Sequence, residues 1–221
     1  MELIRKKLAI EKWLLFGGSW GATLSLLYAQ QYANNVLGLV LRGTFLARSK
    51  DADWFLKEGV NRLYPEAWQR FTGHISSNER KDVLKAYYHR LSIDDEQVLQ
   101  ETTREWDAWG GAVVLGDDFK AEALDGAVPE KAIAQARIET HYAMNNYYIR
   151  ENQILDNAIR IQEIPCTIIH GQKDFMCPIE SSFSLAQALP LAQFIRLPNS
   201  THLAHGDEMI DALVSATDQF V

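Results

Sequence analysis

The apolar positions of this chain fall into two regimes. Four short runs rich in leucine and β-branched residues, at Trp13 to Phe16, Val36 to Leu41, Cys166 to His170 and Phe194 to Leu197, each lie close to sequence with helical spacing. Strands that alternate with helices predict a parallel sheet covered on both faces, the α/β class. From Asp51 to about Ile161 the pattern changes. Apolar residues there recur at helical spacing between charged faces, with many aromatics (Trp54, Phe55, Trp68, Phe71, Trp106 and Trp109 among them) and no strand-period alternation. This stretch reads as a helical cap inserted into an α/β core. The predicted division is residues 1–50 for the first part of the core, 51–161 for the cap and 162–221 for the second part of the core.

Helix ends sharpen the outline. Asp94-Asp95-Glu96 places acids where they favour the start of a helix, and Gly110-Gly111 predicts its stop just after Trp109. The last helix opens on Asp207-Glu208 and is expected to lay Ile210, Leu213, Val214 and Phe220 along one stripe against the sheet. Met1 to Leu8 reads as a short charged amphipathic helix, not as a basic stub followed by an apolar export signal.

Composition narrows the function classes. A chain of 221 residues, 47% hydrophobic and 23% charged, is expected to be a soluble globular protein with one core and an inserted subdomain. A net charge of −7 argues against an electrostatic grip on nucleic acid or an anionic membrane. No run approaches the length of apolar sequence that spans a bilayer. Cys166 and Cys177 have neither paired spacing nor zinc-type histidine partners, so two reduced thiols and a cytoplasmic location are expected. No metal or organic cofactor is implied.

The candidate chemistry lies where strands end. Gly17-Gly18-Ser19-Trp20-Gly21 joins the first strand run directly to a helix, the arrangement of a nucleophile elbow, with glycines two before and two after the serine because the turn tolerates no bulk there. Ser19 is the candidate nucleophile. A serine hydroxyl needs a base to take its proton and an acid to orient that base. Asp174 follows the run Cys166 to His170, and His202 follows the run Phe194 to Leu197, so both are expected at the C-terminal strand ends with Ser19. His205 competes with His202 for the base, and position directly after the strand favours His202. His170 reads as a structural histidine at a strand end. The backbone N–H of Trp20 is the first expected oxyanion donor. The second ordinarily comes from a glycine-rich loop after the third strand of such a sheet, and these 221 residues hold none.

At this point a family resemblance emerges. Gly-Gly-Ser-Trp-Gly followed by Thr-Leu-Ser-Leu-Leu-Tyr-Ala-Gln, Val-Leu-Arg-Gly at 40–43, Ala136-Arg137-Ile138-Glu139 with His141-Tyr142, His170-Gly171 with Asp174, and Cys177-Pro178 resemble the proline iminopeptidases. The resemblance covers essentially the whole chain. It implies an α/β-hydrolase with a helical cap that releases N-terminal proline from small peptides, with Ser19, Asp174 and His202 as nucleophile, acid and base. It also implies that Glu139 is one of two acids holding the substrate's free amine. The second acid of the family falls at Gly110 here, and its role does not transfer to Asp107 on the same segment. Trp20 and Phe45 sit where an apolar wall for the proline ring is expected, and Trp109 is a further candidate for substrate contact, with ordinary core packing as the competing role.

The family carries four further strands and a His-Gly-Gly-Pro-Gly loop ahead of the elbow. The expectation is therefore a hydrolase core lacking its first four strands, with impaired activity and an exposed sheet edge open to oligomerisation. Two other functions follow from the same departures: a related esterase or amidase of relaxed specificity, and a non-catalytic fragment completed by a partner.

Overall fold

The computed structural model describes residues 1–120 and 124–220. In chain order its α-helices and strands are α1 (Glu2–Lys7), β1 (Trp13–Gly18), α2 (Trp20–Gln31), β2 (Val36–Arg42), α3 (Ser49–Leu56), α4 (Pro65–Gly73), α5 (Val83–Leu91), α6 (Glu96–Leu115), α7 (Glu130–Met144), α8 (Gln153–Asp156), β3 (Cys166–Gly171), α9 (Ile179–Ala188), β4 (Gln193–Leu197) and α10 (Asp207–Asp218). They form two compact units, one from Met1–Leu46 with Glu151–Val221, the other from Ala47–Arg150.

The first unit is an α/β layer. Its strands pair in the order β1-β2-β3-β4, all in parallel. Every residue of β3 is buried, whereas β4 is partly exposed along its length, as expected of a central and an edge strand. The edge strand β1 leaves Phe16 55% exposed. One side of the sheet packs Val40, Ile169 and Leu197 against Met209, Leu213 and Ala216 of α10. The stripe on α10 therefore differs from the expected one. Leu213 is buried and Phe220 packs against the same cluster, but Ile210 and Val214 are 46% and 51% exposed, because the face toward the sheet runs through Met209 and Ala216. Residues Glu151 to Ile161 belong to this unit: the Gln30 side chain donates to the Ile154 carbonyl at 2.7 Å, and Ile154 and Ile161 are buried.

The second unit is helical. Its centre is an aromatic stack in which Phe71 lies 4.2 Å from Tyr87 and 5.6 Å from Trp109, ring centre to ring centre. The Trp109 indole N–H donates to the Phe55 carbonyl at 3.1 Å. Helix α6 is longer than expected. It runs through Gly110-Gly111 to Leu115 and stops at Gly116, whose φ of +57° leaves the helical region. Gly111 is small for a packing reason, since a Cβ there would strike the Phe119 ring. Tertiary contact on both sides of α6 thus overrides the weak helix propensity of two glycines.

Candidate active site

Backbone geometry singles out Ser19 before any chemistry does. It holds φ 54° and ψ −121°, a combination that a Cβ strongly disfavours, at the junction of β1 and α2. The turn is secured by the Ser19 N–H donating to the Arg42 carbonyl at 2.9 Å, which ties the elbow to the end of the neighbouring strand. A Cβ on Gly17 would meet the Gly21 carbonyl and the Ser25 hydroxyl, so the elbow closes only on glycine. The first turn of α2 presents its N–H groups beside Ser19, the setting that favours negative charge. Trp20, first in that helix, has its ring 6.5 Å from the Phe45 ring. Thr23 fixes the Phe45 backbone by donating its hydroxyl to the Phe45 carbonyl at 2.6 Å.

Asp174 and His202 form a hydrogen-bonded pair. Asp174 lies just past the end of β3, buried, with Oδ1 accepting the backbone N–H groups of Met176 (3.1 Å) and Cys177 (2.8 Å). Its other oxygen, Oδ2, lies 2.8 Å from His202 Nδ1. A carboxylate only accepts, so Nδ1 carries the proton and Nε2 is left with a free lone pair, as a general base requires. Among the described residues no hydrogen bond joins Ser19 Oγ to His202. Such bonds often tighten only when substrate binds.

His170 is wholly buried at the end of β3, with Nδ1 2.6 Å from the Ser182 hydroxyl and Nε2 2.8 Å from the Cys177 carbonyl. The carbonyl requires a proton on Nε2, and burial pushes the ring's pKa down, with Asp174 opposing. It is thus a neutral histidine that helps hold the 174–177 turn. His205 is exposed in the loop ahead of α10.

The predicted substrate residues of the helical unit have their own settings. Trp109 is 1% exposed, inside the aromatic stack. Glu139 on α7 accepts from the Trp106 indole N–H and from the Gln135 amide, both at 2.8 Å. A Cβ on Gly110 would meet nothing within 4 Å, so that position is open as well as uncharged. Asp107 was not predicted to be unusual, yet burial and then the Glu139 charge push its carboxyl up to about 6.

That shift has a stability consequence. Relative to the ordinary value of 3.8, a raised pKa means that the folded state resists ionisation. The penalty is absent below about pH 4, grows between about pH 4 and 6, and is fully present above that. Asp107→Asn is therefore expected to raise the Tm at pH 7 and to have no effect at pH 3.5, in paired thermal melts. A gain of equal size at both pH values would refute the assignment.

Arg42 and the contact between His170 and the acid turn were also missed. Arg42 lies in the Val-Leu-Arg-Gly run at 40–43 and closes the apolar run Val36 to Leu41 with a charge, but neither signal gives it a role.

A parallel sheet with a strained serine elbow after one strand and an Asp–His pair after two others is the layout of an α/β-hydrolase, and the α/β-hydrolase fold family matches residues 1–208. Solved structures agree at the level of the fold. An esterase from Rhodococcus sp. ECU1013 aligns with a TM-score of 0.57 at 16% identity over 98% of this chain and 68% of its own. An α/β fold family hydrolase from Bacillus anthracis aligns with a TM-score of 0.54 at 20% identity over 98% and 70%. Sequence relatives are more particular. Proline iminopeptidases of Xylella fastidiosa and Xanthomonas citri are each 41% identical over the whole of this chain and 71% of their own length, and one from Arabidopsis thaliana is 37% identical over 99% and 58%. The chain belongs to the proline iminopeptidase family. No helix among the described residues is long and apolar enough to cross a membrane.

Proposed function

We propose that the protein is a serine hydrolase that releases proline from the amino terminus of small peptides. The observation that carries this reading is the 2.8 Å bond between His202 Nδ1 and Asp174 Oδ2, in a chain that shares 41% identity along its whole length with proline iminopeptidases. In this mechanism Ser19 Oγ attacks the carbonyl carbon of the N-terminal proline while its proton passes to His202 Nε2. Asp174 holds the imidazole in the required tautomer and stabilises its charged form. The Trp20 N–H meets the oxyanion. His202 then gives its proton to the departing amine as the C–N bond breaks, and water hydrolyses the acyl-enzyme by the same route. Phe45 and Trp20 supply an apolar wall to a ring that offers no side-chain donor. Trp109, buried in the aromatic stack, acts through packing, and Glu139 binds the free amine. Cys166 and Cys177, both buried and not joined in a disulfide, fit a reducing cytoplasm.

The test compares a proline arylamide with its N-acetyl derivative. Hydrolysis is expected for the free amine, and Glu139→Gln should lower kcat/KM on that substrate by about 10–100-fold, the scale of one hydrogen bond to a charged group. The open, uncharged position at Gly110 favours a second reading, an esterase or amidase of relaxed specificity. Simple esters cleaved with no preference for a free amine would select it.

A further inference from the structure

We infer that Arg42 is a positioning residue for this hydrolysis: its guanidinium bridges the nucleophile elbow and the loop carrying His202, and so sets the imidazole against Ser19. The inference rests on the proposed roles of Ser19, Asp174 and His202. Arg42 ends β2, the strand between the one that leads to Ser19 and the one that leads to Asp174. Its carbonyl accepts the Ser19 N–H. Its guanidinium lies over Gly18, where a Cβ would collide with Nη2, Cζ and Nε. The same guanidinium donates from Nη1 to the His202 carbonyl. One side chain therefore touches both halves of the machinery.

The loop needs such an anchor. Among the described residues, the His202 backbone makes no hydrogen bond other than the one from Arg42. Apart from a 3.4 Å bond within the loop, from the Leu203 N–H to Thr201 Oγ1, its other ties act at its base, where Ser200 donates to Glu208 at 2.6 Å and the Ser200 carbonyl accepts the Lys173 N–H at 3.0 Å. Asp174 fixes Nδ1 and Arg42 fixes the main chain of the same residue. Two points define where Nε2 is aimed; one does not.

Guanidinium suits the task better than ammonium. Its planar fork reaches the carbonyl while its flat face covers a glycine. Burial works against its charge, and the Asp174 charge opposes that effect. Gly43, next in the chain, keeps the space clear, since a Cβ there would stand 3.0 Å from Asp174 Oδ2 and 3.4 Å from His202 Nδ1.

The experiment uses the full chain with Arg42→Ala, Arg42→Lys and Gly18→Ala, the last leaving Arg42 intact but displacing its guanidinium. Two readouts do not require proline release: the far-downfield proton resonance of His202 Nδ1–H, and the rate at which a fluorophosphonate labels Ser19. Arg42→Ala is expected to weaken or lose the resonance and to slow labelling by about 10²-fold, the cost of a misplacement near 1 Å. Added guanidinium ion should restore part of the rate, and Gly18→Ala should reproduce the loss. Arg42→Lys should fall between. Folded Arg42→Ala and Gly18→Ala that keep both the resonance and the wild-type labelling rate would overturn the inference. A wild-type chain that shows the resonance but leaves Ser19 unlabelled would count against the proposed function alone, and the resonance in the variants would still decide the role of Arg42.

Discussion

Ser19→Gly is expected to abolish hydrolysis and make the protein more stable. Loss of the nucleophile of a triad costs on the order of 10⁶ in kcat. The gain in stability has a separate origin. Ser19 is held at φ 54° and ψ −121°, where its Cβ is crowded, and such residues cost on the order of 1–3 kcal/mol. Glycine takes this conformation without the clash, although its greater freedom in the unfolded chain returns part of the gain. About 1 kcal/mol should remain, a rise of about 2–4 °C in Tm for a chain of this size. Ser19→Ala is the control: it removes the hydroxyl, keeps the Cβ, and should be as inactive with no such gain. Equal melting temperatures for the alanine and glycine variants would show that the elbow stores no strain. Residual hydrolysis in either would move the nucleophile elsewhere.

The same turn explains why so much of the site was legible in the sequence. The elbow leaves no room for a Cβ at Gly17, and Arg42 covers Gly18, so glycines ahead of Ser19 mark it locally, whereas a Cβ on Gly21 would meet nothing within 4 Å. An acid and a histidine placed just after strand runs, at Asp174 and His202, are legible because parallel α/β sheets gather their strand ends. Contacts between distant segments left no such mark. Nothing near Arg42 announces that it will reach His202, and Asp107 gains its raised pKa from burial and from Glu139 on another helix. The elements show the same limit. Two glycines at 110–111 resemble a helix stop, and only Phe119, packed against Gly111, shows why the helix continues. On α10 the spacing admits two neighbouring stripes. The sheet selects the one with Met209 and Ala216.

Asp174→Asn should separate catalysis from folding. An amide is nearly the size of a carboxylate, but its two ends differ. The turn offers two N–H donors, from Met176 and Cys177, at 3.1 and 2.8 Å, and they require an oxygen. The amide NH₂ must then face His202, where Asp174 Oδ2 now accepts from Nδ1 at 2.8 Å. A donor in that place forces the proton from Nδ1 to Nε2, and the nitrogen proposed to deprotonate Ser19 loses its lone pair. The expected result is a fall of about 10⁴-fold in kcat, the scale this exchange has in serine proteases, with KM nearly unchanged because substrate binding does not use the pair. Nitrogen NMR of the imidazole should report the tautomer directly, Nδ1–H in the wild type and Nε2–H in the variant. A variant that keeps Nδ1–H has turned its amide and left the turn N–H groups facing a donor, which should instead appear as a lower Tm. A variant that keeps the Tm and the rate of the wild type while its imidazole carries Nε2–H would leave Asp174 without the orienting role.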